Sequence, residues 1–156
     1  MKPNIGIEEN DLKKVNSILS KGLANEMTLY VKTRNFHWNV SGPSFMELHQ
    51  LFEKQYKLLE ENIDELAERI SKLGGKTIGT MKEYLEMTDL KEMPMTYPDQ
   101  KIMIKELLTD HETIIKLLRK EIEVVGETCG DVGTADFLTG LLEDHETTAW
   151  TLRRYL

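Results

Sequence analysis

His37 and His49, two of the chain's four histidines, stand close to three carboxylates in one run, Glu53, Asp64 and Glu68. Imidazole and carboxylate together make a mixed nitrogen and oxygen ligand set, which suits Fe(II), Mn or Zn and is too hard for copper(I). After the corner Ser41-Gly42-Pro43 the sequence keeps helical character as far as Gly74-Gly75. His49 and Glu53 are four apart, as are Asp64 and Glu68, so each pair shares a helix face one turn apart. At about 100° per residue, Glu53, Asp64 and Glu68 lie about 40°, 60° and 100° round the helix from His49. All four occupy one stripe.

One copy of that helix cannot bring them together. The midpoints of the two pairs are about 15 residues apart, or roughly 22 Å at 1.5 Å per residue. Metal ligands must sit within roughly 2.0–2.6 Å of the ion. Two antiparallel copies crossing near Leu58 and Leu59 would solve the problem, setting His49 and Glu53 of one chain against Asp64 and Glu68 of the other. Such isologous contacts are reciprocal and give two identical sites. His37 ends the preceding helical run, and the corner at Ser41-Gly42-Pro43 can bring it beside His49. Taken singly, each carboxylate reads as a solvated helix face and His37 as a hydrogen-bonded interface residue. The five together, on adjoining elements, favour a metal site.

The elements that must hold these residues are helices. A first run opens at Asn10 or Asp11, either able to cap it, and carries Leu12, Val15, Leu19, Leu23 and Met27 at helical spacing to about Trp38. The second starts after Pro43, a good place for proline near a helix start, and stops at Gly74-Gly75. Between Lys76 and Pro98 the pattern breaks. Thr80 and Glu83 are spaced as a capping box, predicting a short helix from Met81 to about Met87, followed by loop. A connection of this length is unusual between antiparallel neighbours but is long enough for the crossover of a ferritin-like topology. Asp99 caps a third long helix to about Glu127, and a fourth runs from Gly133 or Thr134 to the C-terminus. The expected fold is all-α, a ferritin-like four-helix bundle whose long crossover carries a short helix between the second and third long helices.

Length and composition narrow the function classes. At 156 residues the chain suits one domain, 1–156, with a sizeable core. The lone cysteine, Cys129, precludes an intrachain disulfide framework and fits a reducing cytoplasm. No apolar leader opens the sequence and no run is apolar enough to span a membrane, so a cytoplasmic location is expected. A net charge of −7 argues against a nucleic-acid surface, whose affinity rests on phosphate neutralisation, and favours attraction of cations. Met1–Asn10 carries one lysine, Lys2, against Glu8 and Glu9, and no basic extension precedes Leu156.

The strings FHWNVSGPSFMELHQLFE, IDELAERISKLGG and GTADFLTGLLEDHETTAW resemble the Dps family of mini-ferritins along nearly the whole chain. The resemblance implies a hollow dodecamer with a ferroxidase site at each two-fold contact. His37, His49 and Glu53 would come from one chain, and Asp64 and Glu68 from its partner. Glu53 departs from the family, which commonly has Asp there. The implied substrates are Fe(II) and hydrogen peroxide, with ferric iron stored as mineral inside the shell and protection against oxidative stress as the role. By the same resemblance Trp38 would trap escaping oxidising equivalents, and Asp131, Asp136 and Glu143 would line acidic pores. Lysine-rich tails bind DNA in many Dps proteins; without one, DNA binding is not expected here. The alternatives are a DNA-compacting Dps protein and a structural oligomer with a vestigial or zinc-occupied site.

Two further strings, Asp110-His111-Glu112 and Asp144-His145-Glu146, form a near-repeat. Neighbouring residues on a helix diverge by about 100°, so neither triplet converges on one ion. They read as solvated or capping residues with hydrogen-bonded structural histidines. No Glu-x-x-His motif of the kind that builds a metal site inside a bundle occurs: Arg34, Met46, Leu108 and Leu142 stand three residues before the histidines.

Overall fold

A computed structural model describes residues 3–156; Lys2, the single lysine of the N-terminal stretch, lies outside them. Helices α1 (Glu9–Asn39), α2 (Phe45–Lys72), α3 (Met81–Met87), α4 (Gln100–Glu123) and α5 (Val132–Arg153) follow in order. The four long ones form the bundle and α3 sits in the crossover, packed on α1. The expected ferritin-like architecture is the one found. Helix α1 packs chiefly on α2 and α4 chiefly on α5, two helical hairpins laid together.

The apolar stripes meet in the middle. Leu19 and Leu23 of α1, Phe52, Leu59 and Leu66 of α2, Leu107 and Leu118 of α4, and Leu138 and Leu152 of α5 are almost wholly buried. Burying a side chain of this size contributes about 1.5–3 kcal/mol. Gly22 of α1 faces Leu66 of α2, where a Cβ would stand in ordinary contact, 3.8 Å from Leu66 Cδ2.

Local chemistry sets the helix ends. Gly74, at φ +78°, follows α2 in the left-handed region, its N–H bonded to Ser71 O and that of Gly75 to Ile70 O. This paired pattern is the Schellman stop that glycine favours. The Thr80–Glu83 capping box is present, and Asp99 caps α4 by accepting from the Ile102 N–H. Helix α1 differs from expectation. It starts one turn-fraction earlier, with Glu8 at the cap position and no side-chain cap bond, so Asn10 and Asp11 lie within it. Helix α4 ends at Glu123, and Val124–Thr128 continues it as a π-helical turn. The fourth long helix begins at Val132, with Asp131 as its cap.

The near-repeat requires a correction. Asp110 is neither solvated nor capping: it is buried and holds Lys32 of α1 at 2.5 Å. His145 Nε2 lies 2.7 Å from Glu26 Oε1, and His145 Nδ1 lies 2.8 Å from His111 Nδ1, all three groups buried. Histidine 145 is thus fully hydrogen-bonded, whereas His111 Nε2 is buried without a partner. Gln55 and Asn62 of α2, also buried, lie at the same level of the bundle. Glu112 and Glu146 do face outward, paired with Arg153 and Arg119.

Candidate metal centre

The corner between α1 and α2 folds His37 onto His49. Gly42 takes φ +112° there, a conformation an L side chain rarely adopts. The two rings stack with centroids 3.8 Å apart and planes 20° apart. Each ring then bonds to the other residue's backbone: His37 Nδ1 lies 2.8 Å from His49 O, and His49 Nδ1 lies 2.9 Å from His37 O. A carbonyl oxygen can only accept, so both Nδ1 atoms carry the proton in this arrangement. In its neutral form a ring held this way carries its lone pair on Nε2. Fixing the tautomer through the other nitrogen is how proteins prepare a histidine for metal.

Glu53 stands one turn beyond His49 on α2. Its carboxylate is held below its ordinary pKa first by the Lys57 ammonium, 2.6 Å away, and then by its closeness to the two histidines. Further along α2, Lys72 lies 2.9 Å from Glu68 and pulls that carboxyl down in the same way. Asp64 completes the second pair. Among the described residues of one chain, no group of three or more His, Cys, Asp or Glu side chains could hold a metal ion. The structure thus brings His37, His49 and Glu53 to one end of α2 and leaves Asp64 and Glu68 toward the other.

Neighbours that the sequence reading passed over frame the histidines. Tyr56 meets the His37 ring edge-on with centroids 5.3 Å apart. Arg34 lies over Tyr56 at 4.7 Å, Trp38 at 5.2 Å and Tyr30 at 5.5 Å, and donates to the Tyr30 hydroxyl. One cation therefore ties the aromatic residues of α1 and α2 together beside the histidine pair. The i, i+4 spacing of Arg34 with Tyr30 and Trp38 was the available signal. Trp38 itself is 65% exposed.

Of the three acidic residues expected at a pore, Asp131 is buried, caps α5 through the Thr134 N–H and meets Arg69 at 3.3 Å. Asp136 and Glu143, seven apart on α5, are exposed. No helix among the described residues is long and apolar enough to cross a membrane.

Comparison with known proteins agrees with this arrangement of helices. The ferritin-like domain family matches residues 16–156. An uncharacterised low temperature-induced protein of Nostoc is 44% identical over 98% of this chain and 86% of its own length. DNA protection during starvation protein 2 of Bacillus anthracis is 38% identical over 92% of this chain and 97% of its own. The crystal structure of a Dps protein from Vibrio cholerae, described as a member of a broad superfamily of ferritin-like diiron-carboxylate proteins, superimposes with a TM-score of 0.92. It is 30% identical and covers 99% of this chain and 96% of that one.

Proposed function

The chain belongs to the Dps family of ferritin-like proteins, and from that premise we propose that it is an iron-storing ferroxidase whose reaction centre is shared between two copies. The observation that carries the reading is the reciprocal pair of histidine bonds to backbone carbonyls, which engages both Nδ1 atoms and leaves each ring's Nε2 as the nitrogen that could take a metal.

In the shared arrangement His37 and His49 supply neutral nitrogen ligands and Glu53 the first carboxylate. Asp64 and Glu68 of the second copy add two more, and in this reading Glu68 would be the carboxylate shared by two iron ions. Three carboxylates offset most of the charge of a pair of Fe(II) ions, which lowers the cost of bringing them together. Two Fe(II) substrates give up one electron each to one molecule of hydrogen peroxide. Its O–O bond breaks to give two hydroxide ions, which the ferric iron takes up, and the protons released as that iron is hydrolysed further by water leave to solvent. The ferric product passes to acidic groups on the inner wall of a dodecameric shell, with Asp136 and Glu143 as pore-lining residues and Trp38 as a trap for stray oxidising equivalents. Consuming Fe(II) and peroxide together limits radical formation, so the cellular role is protection against oxidative stress. Names such as DNA protection during starvation protein, borne by relatives, fit that protective role; the net charge of −7 speaks against DNA as a direct ligand.

The test is anaerobic loading with Fe(II), then addition of peroxide, followed by ferric absorbance in the wild type and in His49→Ala. Fast oxidation to a soluble ferric product, lost in the variant with assembly unchanged, supports the reading. Oxidation no faster than in buffer, together with tight zinc binding, would replace it with a structural zinc site.

A further inference from the structure

We propose that Lys57 and Lys72 set the iron affinity of the shared centre by occupying two of its carboxylates until Fe(II) displaces them, an inference that rests on the ferroxidase reading of those carboxylates. Lys57 Nζ lies 2.6 Å from Glu53 Oε1, and Lys72 Nζ lies 2.9 Å from Glu68 Oε2. No ion pair to Asp64 is found among the described residues. Two of the three ligand carboxylates are thus guarded and one is open. Because Glu53 and Glu68 meet across the two-fold contact, every centre receives one lysine from each copy.

Each lysine touches one oxygen of its glutamate and leaves the second open, but its positive charge repels a metal ion brought to the same carboxylate. Binding Fe(II) therefore works against both ion pairs and favours moving the two ammonium groups away. The same lysines relieve repulsion among the carboxylates when no metal is bound. Their effect is to hold the empty centre in a balanced state and raise the iron concentration needed to fill it. Flexible four-carbon stems let both lysines swing out to solvent without disturbing α2.

Glutamate followed four residues later by lysine also stabilises a helix slightly. That simpler role makes the opposite prediction: loss of the lysine would loosen α2 and weaken metal binding or leave it unchanged. The sign of the effect separates the two.

The experiment is anaerobic calorimetric titration of the assembled protein with Fe(II), at low and at high salt. It compares wild type, Lys57→Gln, Lys72→Gln, the double variant and Lys57→Arg, with Asp64→Ala as reference. Ion pairs of this exposed kind imply about a two- to fivefold tightening for each glutamine variant and about tenfold for the pair. The double variant should also lose affinity more steeply with salt, its ligand set being more negative, while Lys57→Arg stays at the wild-type value. Unchanged or weaker binding in the double variant overturns the proposal. Asp64→Ala binding Fe(II) as tightly as wild type overturns the shared-centre reading, and the lysines' role with it.

Discussion

Each histidine of the candidate centre is positioned by the other's backbone, so the two bonds, 2.8 and 2.9 Å, act as a clasp across the corner between α1 and α2. Replacing His37 by Ala removes its own bond, while the carbonyl of His49, inside α2, keeps its helical partner, so the corner should lose about 0.5–1.5 kcal/mol. A thermal melt compared with wild type checks this, and an unchanged midpoint would show the clasp to be unimportant. Glu53→Gln keeps the size and polarity of the side chain but removes its charge. It should weaken anaerobic Fe(II) binding at least about tenfold, since a charged hard ligand becomes a neutral one. That His37 would meet His49 was legible in the sequence, because the corner at Ser41-Gly42-Pro43 turns the chain back between them. The tautomer was not, because it depends on two carbonyls whose direction only the folded corner defines.

At the scale of elements, the two hairpins are joined by buried polar contacts as well as apolar packing. Lys32 to Asp110 and Glu26 to His145 both run from α1 to the second hairpin. Burial, with a smaller contribution from nearby His145, holds His111 well below its usual pKa of 6.5. The unfolded chain therefore protonates this residue first. Its contribution to stability is complete above that ordinary value and drains away as pH falls below it. Glu121 on α4 works in the opposite sense: burial raises its carboxyl from 4.5 to about 7, with Lys21 lowering and Asp89 raising it. Its contribution is complete below its ordinary value and is lost as pH rises through 7. Glu121→Gln should therefore raise the melting temperature at pH 8 and leave it nearly unchanged at pH 4, a comparison two melting curves settle. Helix number, the crossover and the short capped helix could all be read from periodicity and from Thr80 and Glu83. The buried network could not. Asp110, His111 and His145 belong to strings of charged residues that look solvated until Lys32 and Glu26, far away in sequence, are seen to face them.

Over the whole molecule, the division of the candidate ligands along α2 is the feature that calls for a second copy in the proposed centre. A straight helix holds the two pairs roughly 22 Å apart, and within one chain no group of three or more His, Cys, Asp or Glu among the described residues could hold a metal. That separation was arithmetic on the sequence alone, and α2, unbroken from Phe45 to Lys72, preserves it. Packing of α2 matters as much as its ligands. Leu66 is fully buried against α1, and Leu66→Ala should cost about 2–5 kcal/mol, measurable as a lower melting temperature.

The decisive measurement is complementation between two inactive variants. His49→Ala and Asp64→Ala chains, unfolded together and co-assembled, would pair at random. A mixed pair contains one centre with both lesions and one with none, so about a quarter of all centres should be intact in a reciprocal two-fold arrangement. Peroxide-driven Fe(II) oxidation should then return to roughly a quarter of the wild-type rate, although each variant assembled alone has none. A mixture as inactive as its parents, with mixed pairs demonstrated by mass spectrometry, would contradict a centre shared between copies.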